Sequence, residues 1–318
     1  MKNALLFLIV LLTIQACDED FFTPIVEVDL PEVAPKLVIY GHMEEGADTL
    51  NIIVTTSRGI LDNRPFPVLK SDTFWFPPGS SNFTIRQHST IDTVNQVRLE
   101  LYKNNTSIAE FYKHPEFLGV YTAILHQPLV YEEGVTYTLR GSAPGFESIE
   151  AVSSIPKPVP IDSISYRRNI KVADPNDPTS LEDVNEFSLS FSDPAGVDDY
   201  YKCSAIFQDT IWGVEHPRYI FSLDFKSIYD LLDDASFDGK ATIWNVHENA
   251  NHPQEGQYMV FSLHHISSSF YQYSLSARRY DDAEDNPFAE PVILYSNVKN
   301  GYGVFSMGST RKYKILVR

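Results

Sequence analysis

The sequence predicts a mainly β protein: an N-terminal immunoglobulin-like β-sandwich followed by a second β-rich domain, sandwich or barrel, that carries one helix. Three observations predict it. Aromatic and β-branched residues alternate with polar ones over short runs, the period-2 signature of half-buried strands. The 20 prolines and 15 glycines punctuate these runs, as the turns of an all-β chain require. A hydrophobic fraction of 43% over 318 residues supplies cores for two domains of ordinary size.

The strands follow in order. "KLVIYGHM" and "DTLNIIVTTS" open the first domain, residues 36–155, and "NQVRLELYKNN" continues it with Val97, Leu99 and Leu101 on one face. "SIAEFYKH", "GVYTAIL" and "VTYTLRGSA" complete about seven short strands over about 120 residues, which suits an immunoglobulin-like sandwich. Between them lies a long loop, Arg58 to Thr90, with four prolines and Trp75 flanked by Phe74 and Phe76. Loops of this length within compact domains are functional or disordered, so the aromatic cluster is either a binding tip or a patch packed back on its sandwich. Residues 156–164, with three prolines in five positions, read as a semi-rigid linker. Residues 165–318 form the second domain, where "NEFSLSFSDP", "DYYKCSAIFQ", "ATIWNV", "GQYMVFSLHHI", "YGVFSM" and "RKYKILVR" alternate again.

One segment breaks that period. Ile266, Phe270, Tyr273, Ala277 and Tyr280 recur at helical spacing, predicting a helix over 268–281 capped by Ser267 or Ser268. Arg278 and Arg279 would suit its C-terminal dipole, and Asn286-Pro287 forces the chain out of it.

Residues 1–16 have the layout of a secretory signal: Lys2 supplies the positive start and Ala4 to Leu12 the apolar run. That run falls short of the roughly 20 residues a permanent transmembrane helix needs. Ala16 before Cys17, with Ile14 further back, resembles the lipobox read by bacterial lipoprotein signal peptidase, although Gln15 departs from the usual filler. The resemblance implies acylation of Cys17 and a tether over residues 17–35. Asp18, Glu19 and Asp20 directly after it resemble the acidic export signal that sends lipoproteins of the Bacteroidota to the outer face of the outer membrane.

A formal charge of −17, from 25 basic and 42 acidic side chains, opposes nucleic acid and anionic lipid as partners. With Cys17 acylated, Cys203 has no cysteine left to pair with, so stability rests on packing. No nucleophile elbow, P-loop or dinucleotide fingerprint is present, and nothing implies a cofactor. His264-His265 point to opposite faces of a strand, the acids from Asp281 to Asp285 lack the spacing of an EF-hand loop, and His247 with Glu248 is too sparse a set; no metal site is assigned. The chain is expected not to be an enzyme. Trp212 and Trp244 either stack on a flat ligand or fill a core. Gly301 and Gly303 either line a ligand or serve the tight turn that Asn300-Gly301 predicts. Thr49, Thr93, Ser163 and Thr210, each between an Asp and an aliphatic residue, resemble the O-glycosylation sequon of the same bacteria.

"FSDPAGVDDYY", "SFDGK", "FYQYSLSA" and "NPFAEPVILYSNVKNGYGVFSMGS", with "PKLVIYGHM" and "GVTYTLRGSAPGFESIEAVSSIP" earlier, resemble landmarks of the family called domain of unknown function 4249. The likeness spans nearly the whole chain after the leader. It implies a Bacteroidota outer-membrane lipoprotein, often encoded beside a TonB-dependent transporter, and no catalytic residue. The expected function is therefore a surface-exposed, lipid-anchored binding or accessory subunit of such a transporter, with Phe74, Trp75, Phe76, Trp212 and Trp244 as candidate contacts. Two alternatives stand beside it, a structural subunit of an envelope assembly complex and a surface glycan hydrolase.

Overall fold

The computed structural model describes residues 34–58, 94, 96–115, 117–173, 179–211, 214–217, 229–249, 258–284, 290 and 292–317. Cys17, Asp18, Glu19, Asp20, Phe74, Trp75, Phe76, Thr93 and Trp212 lie outside them, as do the side chains of Thr210 and Glu248.

Seven strands build the first layer pair: β1 (Leu37–Glu44), β2 (Thr49–Thr56), β3 (Arg98–Lys103), β4 (Thr106–Lys113), β5 (Val120–Ile124), β6 (Tyr137–Ser142) and β7 (Ile149–Ser153). The strand path β1-β2-β5-β4-β3-β6-β7 curls on itself, so that β1-β2-β5 faces β4-β3-β6-β7 as an immunoglobulin-like sandwich. Alternation drives the closure. Leu37, Ile39 and Met43 of β1, Leu50, Ile52 and Val54 of β2, Leu99 and Leu101 of β3, and Leu139 of β6 all point into one core, while the residues between them face out. Tyr121 buries its ring there and donates from its hydroxyl to the Val94 carbonyl at 3.1 Å, which satisfies the one polar atom it brings inside.

The second core uses two sheets. A three-stranded sheet runs in the order β13-β9-β8, from β8 (Ile161–Ala173), β9 (Leu181–Ser192) and β13 (Ala241–Asn249). It packs over β10 (Tyr200–Ile211), β14 (Tyr258–Ile266) and β16 (Tyr302–Leu316) through Phe187, Leu189, Phe191, Tyr201, Trp244 and Phe261. Short β11 (Val214–Pro217) and β12 (Tyr229–Asp233) pair with β10. The second half is thus a sandwich, and β8 begins at Ile161, inside the stretch expected as linker.

The two cores part between Ile155 and Val159, yet Pro35–Arg318 is one compact unit. The reason is β16. Its first half, Tyr302 to Gly308, pairs parallel with β1, and from Gly308 to Leu316 it pairs antiparallel with β14. Phe305 and Met307 consequently enter the first core and Val317 the second. Just before it, β15 (Val298–Lys299) pairs with β7, and Asn300 with φ +60° makes the turn that Asn300-Gly301 predicts. Gly303 serves close approach instead, with φ +99° and its Cα directly against the backbone of Ile39.

The helix, α1 (Ser268–Glu284), runs three residues further than its apolar period suggests. Ser267 precedes it and accepts at its carbonyl from the amides of Phe270 and Tyr271. The extension overturns the dipole expectation: Arg278 and Arg279 no longer sit in the last turn, which carries Asp281, Asp282 and Glu284 instead. Packing compensates, since the Phe270 ring tilts against His42 with centroids 4.5 Å apart and Tyr273 against Tyr40 at 5.8 Å. Tertiary contact rather than propensity holds most protein helices in place. Among the described residues no helix is long and apolar enough to cross a membrane.

Candidate functional site

Where β16 passes from one core to the other, the two faces of the seam are built differently. On one face Glu44, the last residue of β1, takes hydrogen bonds from its surroundings. His264 Nδ1 lies 3.0 Å from its carboxylate, and Thr310 Oγ1 lies 2.8 Å from the same nitrogen. His42 bonds Ser306 Oγ at 2.9 Å through Nδ1 and leaves Nε2 3.7 Å from Glu44. Burial pushes the Glu44 carboxyl up, but the bonds to His264 and His42 outweigh it and hold it well below the usual carboxylate range. Beside it Arg311 donates to Glu45 at 2.8 Å. These contacts tie β1 to β14 and to the second half of β16.

His265 leaves β14 on the opposite face, as strand periodicity requires. Its Nδ1 is 2.6 Å from the Lys157 carbonyl and its Nε2 2.9 Å from Asp199 Oδ1. A carbonyl can only accept, so Nδ1 donates to it, and Nε2 faces the Asp199 carboxylate. Tyr201 stacks on the ring at 4.9 Å and donates from its hydroxyl to Asp193 Oδ1 at 2.6 Å.

Asp193, Asp199 and Asp234 meet here, each less than 9% exposed, with one carboxylate oxygen of each within 4.8 Å of the others. The loops set them. Asp193 ends the run of β9 and accepts from the Gly239 amide at 2.9 Å; Asp234 follows β12 and accepts from the Asp199 amide at 3.0 Å. Burial first, and then repulsion from Asp193, Asp199 and Asp238, pushes the Asp234 carboxyl up. The Tyr201 hydroxyl is pushed up by burial and by its bond to Asp193. Such a group of oxygens is the chemistry that holds a hard cation or a shared proton; of the described residues it is the set that could hold a metal.

A concavity of about 480 Å³ opens in front of Asp199 and His265. Tyr131 and Glu133 from the β5–β6 connection, Pro156 and Lys157 from the Pro-rich stretch, Val197 just before β10, Tyr200 at its start, and Ser267 and Ser268 at the entry to α1 form its walls. Both halves of the chain therefore contribute to one pocket, of a size that takes a small ligand.

Of the residues singled out from sequence, Trp244 is 5% exposed, sits in the second core and donates from its indole nitrogen to Asp230 at 2.5 Å; it does not line the pocket. His247 bonds Glu186, which also pairs with Arg167. Cys203 is fully buried, and burial pushes its thiol up. Thr49 and Ser163 are exposed on β2 and β8. Sequence reasoning missed Asp193, Asp199, Asp234 and His265 as a group. The available signal was "SDPAGVDDYY" and "DDASFDGK", two acid-rich turns each bordering a strand.

These features describe a seamed double β-sandwich with a pocket at the joint. The family model described as Domain of unknown function (DUF4249) matches residues 23–314, and the chain belongs to that family. No curated protein matches the sequence.

Proposed function

We propose that this chain is a lipid-anchored, surface-exposed outer-membrane lipoprotein of Bacteroidota type that serves a TonB-dependent transporter as a non-enzymatic binding or accessory subunit. The observation that carries the reading is the seam pocket: it is concave and bordered by Tyr131 and Tyr200, as ligand capture needs, whereas a purely structural subunit needs a broad flat face. The leader, Cys17 and the acids that follow it support the location. Acyl chains on Cys17, at about 0.8 kcal/mol per buried methylene, tether the domains beside the pore. Capture then becomes an intramolecular handover at high effective concentration.

Deleting the chain from its host and measuring uptake of the neighbouring transporter's substrate tests this. Uptake falls, the intact gene restores it, and Cys17→Ala restores it poorly. Unchanged uptake at limiting substrate refutes the transporter role.

A further inference from the structure

A second concavity, about 390 Å³, lies on the outer face of β3-β6-β7-β15, away from both cores. Its floor is a charge ladder set by strand register. Glu100 stands opposite Arg140, Arg140 opposite Glu150, and Glu150 opposite Lys299. Arg140 donates to Glu150 at 3.0 Å and lies 4.7 Å over the Tyr102 ring, and Tyr102 donates to Glu100 at 2.5 Å. The centre of the ladder is thus internally satisfied and its geometry fixed. Lys299 at one end of the ladder, and Arg98 two residues along β3 from its other end, are exposed, line the same concavity, and have no carboxylate partner among the described residues. Two uncommitted cations at one site are notable in a chain of net charge −17, where self-repulsion favours anions staying away unless a site is built for them.

The lining chooses among anions. Glu100 and Glu150 stand between the two cations and would repel a phosphate chain, but they accept hydrogen bonds from hydroxyls. Ser142, Ser148 and Asn300 add neutral donors and acceptors. One face of the Tyr102 ring is already covered by Arg140, so a nucleobase stacking there would have to displace the guanidinium. Arg98 and Lys299 sit on strands three spacings apart, roughly 14 Å at ~4.8 Å each, so one ligand engages both only if it is extended. Carboxylates separated by a hydroxyl-rich spacer meet every one of these conditions. We infer that this face binds an acidic oligosaccharide, with Arg98 and Lys299 taking its carboxylates and Glu100, Glu150 and Asn300 its hydroxyls. This rests on the groove's chemistry alone and stands or falls independently of the transporter reading.

The test is calorimetric titration of the purified full chain in detergent with a hyaluronan hexasaccharide, whose carboxylates alternate with neutral amino sugars, using a neutral chitooligosaccharide of equal length for comparison. Saturable binding of the acidic sugar alone is expected, weakening as salt rises. Arg98→Gln and Lys299→Gln should each weaken it about tenfold, the scale of one lost charge-assisted hydrogen bond, while Lys171→Gln on the remote strand β8 changes nothing. Both target side chains are exposed, so an unchanged melting temperature certifies the variants. Absence of binding, equal binding of the neutral sugar, or full binding by the Arg98→Gln, Lys299→Gln double variant overturns the proposal.

Discussion

Replacing Gly303 by alanine places a methyl group where the structure has backbone. An ideal Cβ there falls 1.9 Å from the Ile39 carbonyl oxygen and 2.9 Å from its carbon, well inside the roughly 3.5 Å separation of non-bonded atoms. The residue also has φ +99°, and a left-handed conformation costs an L-residue about 1–2 kcal/mol. Relief requires β1 and β16 to move apart where Ile39 pairs with Gly303, losing two or three ladder hydrogen bonds at about 1 kcal/mol each. Together these give about 3–5 kcal/mol, a large part of the ~5–15 kcal/mol that holds a domain folded. Gly145→Ala supplies the control, since Gly145 has φ +84° and nothing within 4 Å of its Cβ position; it should cost only the conformational part, about 1–2 kcal/mol. Urea titration reads both, as midpoints at unchanged slope. A Gly303→Ala variant no less stable than Gly145→Ala would refute the claim that β16 is locked against β1 at this point.

Three further predictions follow from buried groups. Glu44 has a folded pKa below its unfolded value of 4.5, so its contribution to stability is present above that pH and lost as pH falls; the urea midpoint of the wild type should drop more steeply from pH 6 to pH 3 than that of Glu44→Gln. Asp234 behaves with the opposite sign. Its raised folded pKa means that ionisation destabilises the fold as pH rises, so Asp234→Asn should raise the melting temperature at pH 7 and lose that advantage towards pH 3, whereas a fall at pH 7 would show that the three carboxylates are compensated. Cys203 should resist thiol reagents in the native protein and react in urea, and Cys203→Ser should cost about 1–3 kcal/mol, the penalty for a buried hydroxyl without a partner.

The strands were legible in the sequence because their signal is local. "LVIYGHM" and "TLNIIVTT" alternate cleanly, and the burial of Leu37, Ile39, Leu50 and Ile52 follows that alternation. The helix was legible for the same reason, although its end was not: nothing in the apolar spacing extends it past Asp281, and contacts to β1 and β16 hold it. The joint was invisible. "YGVFSM" and "RKYKILVR" read as two pieces around Gly308, yet they are one strand whose partners lie more than 250 residues away on one side and about 40 to 60 on the other. The pocket was hidden likewise, because Tyr131, Lys157, Asp199 and His265 are brought together only by that pairing. Asp193, Asp199 and Asp234 are marked in the sequence only by two acid-rich turns among 42 acids, since burial, which sets the three apart, is a property of the fold.

Capture of ligand for a TonB-dependent transporter from a lipid anchor requires that the two proteins hold together in the membrane. Affinity capture of the tagged chain from detergent-solubilised outer membranes of its native host, with mass spectrometry of the bound fraction, addresses this most directly. A TonB-dependent transporter should be recovered in stoichiometric amount, retained by the wild type and lost with Cys17→Ala. Recovery of envelope-assembly components without a transporter, or of no partner at all, would contradict the proposed role.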